Sequence, residues 1–244
     1  MTIHVLTLFP EMFIGPFEHS IIARAQKDGL ASIYYHQLRQ WGIGPYKAVD
    51  GKPFGGGTGM IIRVDVVAKA LEAIQKLSPE TRKVLLDPSG SLLDQAQIQE
   101  WSRLNSLTLI CGHYEGVDAR IQEHLVDDVC SVGNYVLTGG EIAAIVVVDA
   151  VVRLIPGVLE KTEATAEDSF SLQAPGIKHQ KILEYPQYTR PQKFASWSVP
   201  EVLISGNHQA VEKWRQEEAI KRTKKWRPDL LKVEPRRKTR GSTL

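Results

Sequence analysis

Apolar residues recur along this chain in two rhythms that alternate. Thr2–Phe9 and Ala31–Leu38 carry the β-rich composition of strands, and the stretch between them, around His19–Asp28, has the spacing of a helix. Val64, Val67, Ala68, Leu71 and Ile74 fall at i, i+3, i+4, i+7 and i+10, which predicts a helix over Val64–Lys76. Beyond it, short apolar runs at Lys83–Leu86, Leu107–Cys111 and Asp128–Val132 alternate with helical patterns at Asp94–Leu104, Asp118–Leu125 and Glu141–Leu154. The runs are mostly apolar at successive positions, which suits strands covered on both faces of a parallel sheet. An α/β domain over residues 1–159 is expected.

The pattern then changes. Residues 160–188 have no sustained period and read as an interdomain linker. In 189–244, Glu201–Ile204 and His208–Trp226 look helical, and Pro228 stops the second helix, so a small all-α domain is expected there. Pro235–Leu244 reads as a loose tail.

Composition narrows the classes. With 43% hydrophobic and 24% charged residues in 244, the chain can fill a core and has no bias towards disorder. Met1–Phe9 lacks the basic start of a secretory signal, and the longest apolar run, Ile142–Val152, is broken by Asp149 and is well short of the ~20 residues of a membrane span. A cytoplasmic protein with no membrane partner is expected. Cys111 and Cys130 lie too far apart in sequence for a zinc knuckle or redox pair and read as core residues; no metal ligands are assigned. The net charge of +2 conceals an asymmetry. Residues 206–244 hold twelve Lys/Arg against five Asp/Glu, a net of +7, which leaves −5 on the rest. A basic segment on an acidic body fits a polyanion partner, through Arg215, Lys221, Arg222, Lys224 and Lys225, although a solvated helix face would look the same.

Two nucleotide fingerprints fail. Phe54–Met60 has four glycines but no Gly-Lys-Ser/Thr ending and no G-x-G-x-x-G spacing, so neither a P-loop nor a dinucleotide fold is indicated. The loop is either a hinge or a place where backbone closes on a ligand. Three expected strand ends are followed at once by glycine or proline: Asp87–Gly90, Gly112–Gly116 and Gly133–Gly140. In parallel α/β domains ligands bind at the carboxyl ends of strands, so these three point to a nucleoside-like pocket. Arg153 closes an apolar helix, where a cation suits the helix dipole, and Glu167-Asp168 sits in the linker; on their own both have ordinary structural readings.

Taken in order, Pro53–Gly57, Cys111–Gly116, Gly133–Glu141, Arg153–Leu159, Glu167–Phe170, Tyr188–Pro191 and Leu203–His208 resemble the bacterial tRNA (guanine-N1)-methyltransferase family, over about residues 3–230. The resemblance implies a trefoil-knotted domain of the SPOUT class, a homodimer with its active site shared between subunits, S-adenosylmethionine as methyl donor, a magnesium ion for activity, and guanosine 37 of tRNA as target. By motif, Asp168 and Arg153 become catalytic, as general base and as donor to the guanine O6. Leu86, Asp87, Pro88, Gly112, Tyr114, Glu115, Val132, Gly133, Asn134, Tyr135, Val136, Leu137, Gly139 and Gly140 become donor-binding. Gly57, Gly59, Arg190, Asn207, His208 and Arg215 become tRNA-binding. The sequence departs from the family pattern at Thr58, Asn134, Glu160 and Ala164, and its Ser171–Gln187 stretch is longer than usual. None of these changes removes a group the chemistry needs.

Overall fold

A computed structural model describes residues 1–159, 167–173 and 181–231. The chain forms two compact units, Met1–Glu160 and Lys161–Leu244. Glu160, Ala164 and the tail Pro235–Leu244 lie outside the described residues.

The first unit is built on five strands, all parallel: β1 (Thr2–Thr7), β2 (Ser32–Gln37), β5 (Arg82–Leu92), β6 (Ser106–Cys111) and β7 (Asp128–Ser131), in the order β2-β1-β6-β5-β7. Successive side chains of a strand point to opposite faces, so apolar residues at every position make two cores. Ile3 and Val5 of β1, with Leu107 and Leu109 of β6, join a cluster with helices α1 (Ser20–Lys27), α3 (Gln95–Trp101) and α5 (Glu141–Val152). Leu6, Leu85 and Ile110 join the other, with α2 (Val64–Leu77) and α4 (Ala119–His124). Helix α2 buries Val66, Val67, Ala70, Leu71 and Ile74, close to the stripe its spacing predicts. Helix α5 buries Ala143, Ala144, Val147, Val148, Val151 and Val152, and leaves Ile142 and Val146 exposed on its outer face. A short hairpin, β3 (Asp50–Gly51) with β4 (Ile61–Ile62), brackets the glycine-rich loop.

Three expectations need correction. The run expected to stop at Leu86 continues as β5 to Leu92. Cys130 of β7 is opposite Leu86 and again opposite Ser91, so Asp87–Gly90 bulge out of the ladder. Pro88 has no N–H to give to a ladder, and the Asp87 carboxylate holds the turn by accepting from the Ser89 amide (2.9 Å) and hydroxyl (2.6 Å). The second correction concerns the linker. Its described residues hydrogen-bond to one another, Phe170 N donating to Ile182 O, Ile182 N to Leu172 O and Glu184 N to Ser169 Oγ, and Leu183 N donates to Thr223 Oγ1 of helix α6 (His208–Trp226). Ile182 and Ala219 are the buried centre of that unit. Thirdly, helices do not account for the whole second unit, which includes a two-stranded hairpin, β8 (Lys193–Phe194) with β9 (Trp197–Ser198).

Candidate active site

A cleft of about 240 Å³ opens at the Asp87–Gly90 bulge of β5 and at the carboxyl ends of β6 and β7. Leu86, Asp87 and Pro88 form one side, Gly112–Gly116 a second, and Val132–Gly140 most of the rest, with Cys130, Ser131 and Ala143. Of the residues expected to bind the donor, all but Asn134 line it. Asn134 is exposed at the turn of its loop and stands off the wall. His113, Gly116 and Thr138 also line it, inside the glycine-marked loops, and Cys130, Ser131 and Ala143 line it without having been anticipated. Their position beside the glycine-marked strand ends was the available signal.

Backbone makes most of this wall. A Cβ on Gly140 would come within 2.7 Å of the Cys111 Cα and 3.0 Å of the Gly112 amide, so the two loops meet where only glycine fits. Gly140 N donates to Gly112 O at 2.7 Å, and His113 bridges Gly139. Tyr114 holds a left-handed conformation (φ 60°) in the tight turn closed by Gly116 N donating to His113 O. The Ser131 hydroxyl donates to Gly133 O, and Tyr135 folds its ring over Gly133. Leu86, Val132, Leu137 and Ala143 supply apolar surface among these carbonyls and amides.

The glycine-rich loop reaches this wall through Gly59. Glu115 N donates to Met60 O at 3.1 Å, Ile62 N to Gly116 O at 3.0 Å, and a side chain on Gly59 would collide with that of Glu115. Gly57 has only Pro53 nearby, and Phe54 beside it is fully exposed.

Behind the cleft lies a buried carboxylate. Glu141 opens α5, where the helix N-terminus favours a negative charge. Its Oε1 accepts from the Thr7 hydroxyl at 2.7 Å, and that hydroxyl accepts from the Phe9 amide at 2.9 Å. Its Oε2 lies 3.6 Å from His113 Nδ1, and neither atom has a hydrogen-bond partner among the described residues. Burial, reinforced by Glu141, pushes the Cys111 thiol well above its ordinary range, which makes it an inert core group.

The remaining candidates divide between the units. Arg153 caps the carboxyl end of α5 in the first. Asp168 is in the second, in a turn where its carbonyl accepts from Ser171 N at 3.0 Å. Asn207 caps α6 by accepting from Ala210 N at 3.1 Å, and His208 begins that helix, exposed. Arg190 is exposed. The Arg215 guanidinium lies over the Tyr185 ring at 4.7 Å, and Arg222 donates to the carbonyls of Glu184 and Tyr185. Lys221 pairs with Glu218 at 2.6 Å, while Lys224 and Lys225 are exposed. So among the five cations expected to meet phosphate, two are turned onto their own unit and one is paired.

No described helix is long and apolar enough to cross a membrane, and no cluster of three or more His, Cys, Asp or Glu among the described residues could hold a metal ion.

A family model described as tRNA (guanine-1)-methyltransferase TrmD matches residues 1–233. Among curated relatives, the tRNA (guanine-N(1)-)-methyltransferase of Dehalococcoides mccartyi is 46% identical over 232 residues, which cover 95% of this chain and 90% of the relative. The protein of that name from Geobacter sp. strain M21 is 46% identical, with 95% and 90% covered. The one from Listeria monocytogenes serotype 4a is 44% identical, with 96% and 94% covered.

Proposed function

The chain belongs to the tRNA (guanine-N1)-methyltransferase family, and from that premise we propose that it transfers a methyl group from S-adenosylmethionine to N1 of guanosine 37 in tRNA. The observation that carries the reading is the cleft, with three backbone-walled loops at the ends of parallel strands. Its residues fit the donor. Apolar Leu86, Val132, Leu137 and Ala143 suit an adenine face, and the polar backbone and side chains of Gly112–Gly116 and Val132–Gly140 around them suit polar edges. When bound, S-adenosylmethionine supplies an electrophilic methyl on a sulfonium and needs no further activation.

The protein's task is therefore the guanine. N1 carries a proton and is a poor nucleophile until that proton is removed. Asp168 is the general base of this reading: its carboxylate accepts the N1 proton as the N1–methyl bond forms and the sulfur–methyl bond breaks, leaving a neutral thioether. The negative charge that deprotonation places on O6 is met by Arg153, whose planar, permanently charged guanidinium is a fixed donor. Positioning supplies the rest. Lys224, Lys225, His208 and Arg190, all exposed, are the tRNA contacts.

The same reading includes a trefoil knot, supported by the close passage of Gly139–Gly140 against Cys111–His113. It also includes a cytoplasmic homodimer with a shared active site, supported by the exposed apolar pair Ile142 and Val146 on α5. A magnesium ion belongs to the same reading as a requirement for activity; no cluster of three or more His, Cys, Asp or Glu among the described residues could hold it.

The test is incubation with methyl-labelled donor and an unmodified tRNA transcript bearing guanosines at 36 and 37, followed by nucleoside mapping. Label in 1-methylguanosine at 37 is expected. Label on another nucleotide, or none with an active donor site, would overturn the assignment.

A further inference from the structure

The buried carboxylate behind the cleft has no part in the chemistry above. Glu141 is 1% exposed, yet Oε2 makes no hydrogen bond among the described residues. An ionised oxygen left half-satisfied away from water is costly, and such groups call for an explanation. Packing does not supply one: its surroundings keep the defect in place. Thr7 fixes the other oxygen at 2.7 Å, and the missing side chain of Gly139 leaves the room in which Oε2 and His113 Nδ1 face each other. A Cβ there would lie within 2.5 Å of His113 Nδ1 and would also strike Oε2. His113, Gly139 and Gly140 all line the cleft, so one residue layer separates the carboxylate from the occupant.

We propose that Glu141 is a specificity-determining residue that biases this cleft towards a cationic occupant, acting across His113 and Gly139 without touching it. The inference rests on S-adenosylmethionine as donor. That molecule and its product differ at one atom in charge: the donor's sulfur is a sulfonium and the product's a neutral thioether. Every contact to adenine, ribose and the amino-acid end is shared, so contacts alone discriminate little between the two. A fixed negative charge in a wall of low dielectric attracts only the former, and the attraction disappears when the methyl group leaves. Product release is thereby favoured. Helix α5 holds the carboxylate at its N-terminus, where the helix dipole favours a negative charge.

The experiment compares the affinities of the intact chain for S-adenosylmethionine and S-adenosylhomocysteine by calorimetry. Glu141→Gln keeps the volume and can still accept from Thr7. Its affinity for the sulfonium should fall about tenfold or more, since two unit charges at an effective dielectric near 20 interact by at least about 1.4 kcal/mol within about 12 Å, with affinity for the thioether unchanged. Glu141→Asp retains the charge and should retain the preference, even if both ligands weaken. Equal loss of both ligands in Glu141→Gln, or no loss, overturns the proposal. Should that variant fail to fold, the wild type decides alone: thioether bound as tightly as sulfonium overturns it. A wild type that binds neither ligand instead removes the donor reading beneath it.

Discussion

Gly112 and Gly140 are both at the cleft, yet the space around them differs. A Cβ on Gly112 would meet Val117 at 3.6 Å and the Leu86 carbonyl at 3.8 Å, which are ordinary contacts. The same atom on Gly140 would press on the Cys111 backbone at 2.7 Å. Gly112→Ala should therefore leave thermal stability near wild type and act, if at all, on donor affinity, whereas Gly140→Ala should cost about 1–3 kcal/mol through overpacking, read by denaturant melts. His4 is a second residue with a defined consequence. It is buried, and shares hydrogen bonds with His36 (2.9 Å) and Ser78 (2.9 Å). Burial, then the neighbouring His36, holds its pKa down at about 4 from an ordinary 6.5. The folded state thus keeps His4 neutral where the unfolded chain takes up a proton. Its contribution is complete above pH 6.5 and is lost progressively as pH falls towards 4, a change of about 3 kcal/mol at about 1.4 kcal/mol per unit. His4→Gln should flatten stability against pH over that window; an unaltered slope would assign the effect to other groups.

At the scale of elements, periodicity carried the first unit well. Strands buried on both faces and amphipathic helices leave strong, local signals, and β1, β2, β6, β7 and α2 lie where the apolar spacing puts them. The glycine-marked strand ends also indicated the cleft, since a wall made of backbone leaves its trace as glycine. What local patterns could not carry was pairing. The continuation of β5 past Pro88 depends on Cys130 serving two registers, and only the neighbouring strand decides that. Glu141 was invisible as a buried charge for the same reason: its partner Thr7 lies 134 residues away. The stretch around Asp168 lacks periodicity because hydrogen bonds to residues 182–185 organise it, and a helix face does not. Those residues are tied to α6 through Thr223, fully buried, whose hydroxyl donates to Ala219 O and accepts from Leu183 N. Thr223→Val keeps the shape and strands the Leu183 amide, so this unit should lose about 1–3 kcal/mol. Hydrogen exchange at Leu183 and neighbouring amides should rise if Thr223 is the tie, and remain protected if it is not.

At the scale of the molecule, two units must act on one tRNA, and their contributions separate by what each variant leaves intact. In the proposed reading electrostatic attachment falls to the exposed cations of α6. Reversing Lys224 and Lys225 together to Glu should weaken tRNA binding and lower the slope of log affinity against log salt by up to about 2, at about 0.7–0.9 for each phosphate contact. Lys221, already paired with Glu218, should contribute less, and an unchanged slope would mean that α6 faces away from the RNA. In the proposed mechanism the proton transfer falls to Asp168. Asp168→Asn preserves size and hydrogen-bonding capacity but cannot accept the N1 proton. Donor affinity should be unaltered, because the role assigned to Asp168 is towards the guanine N1 proton. Affinity for tRNA should also change little. Turnover should fall by orders of magnitude, since the lost interaction is confined to the transition state. Raising the pH should restore part of the rate by letting solvent take the proton from guanine, a rescue that a merely structural Asp168 would not show. Single-turnover methylation of saturated enzyme reads all of this. A near wild-type rate in Asp168→Asn at neutral pH would remove the base from this mechanism, and Glu115, the carboxylate already on the cleft wall beside Gly59, would be the group to replace next.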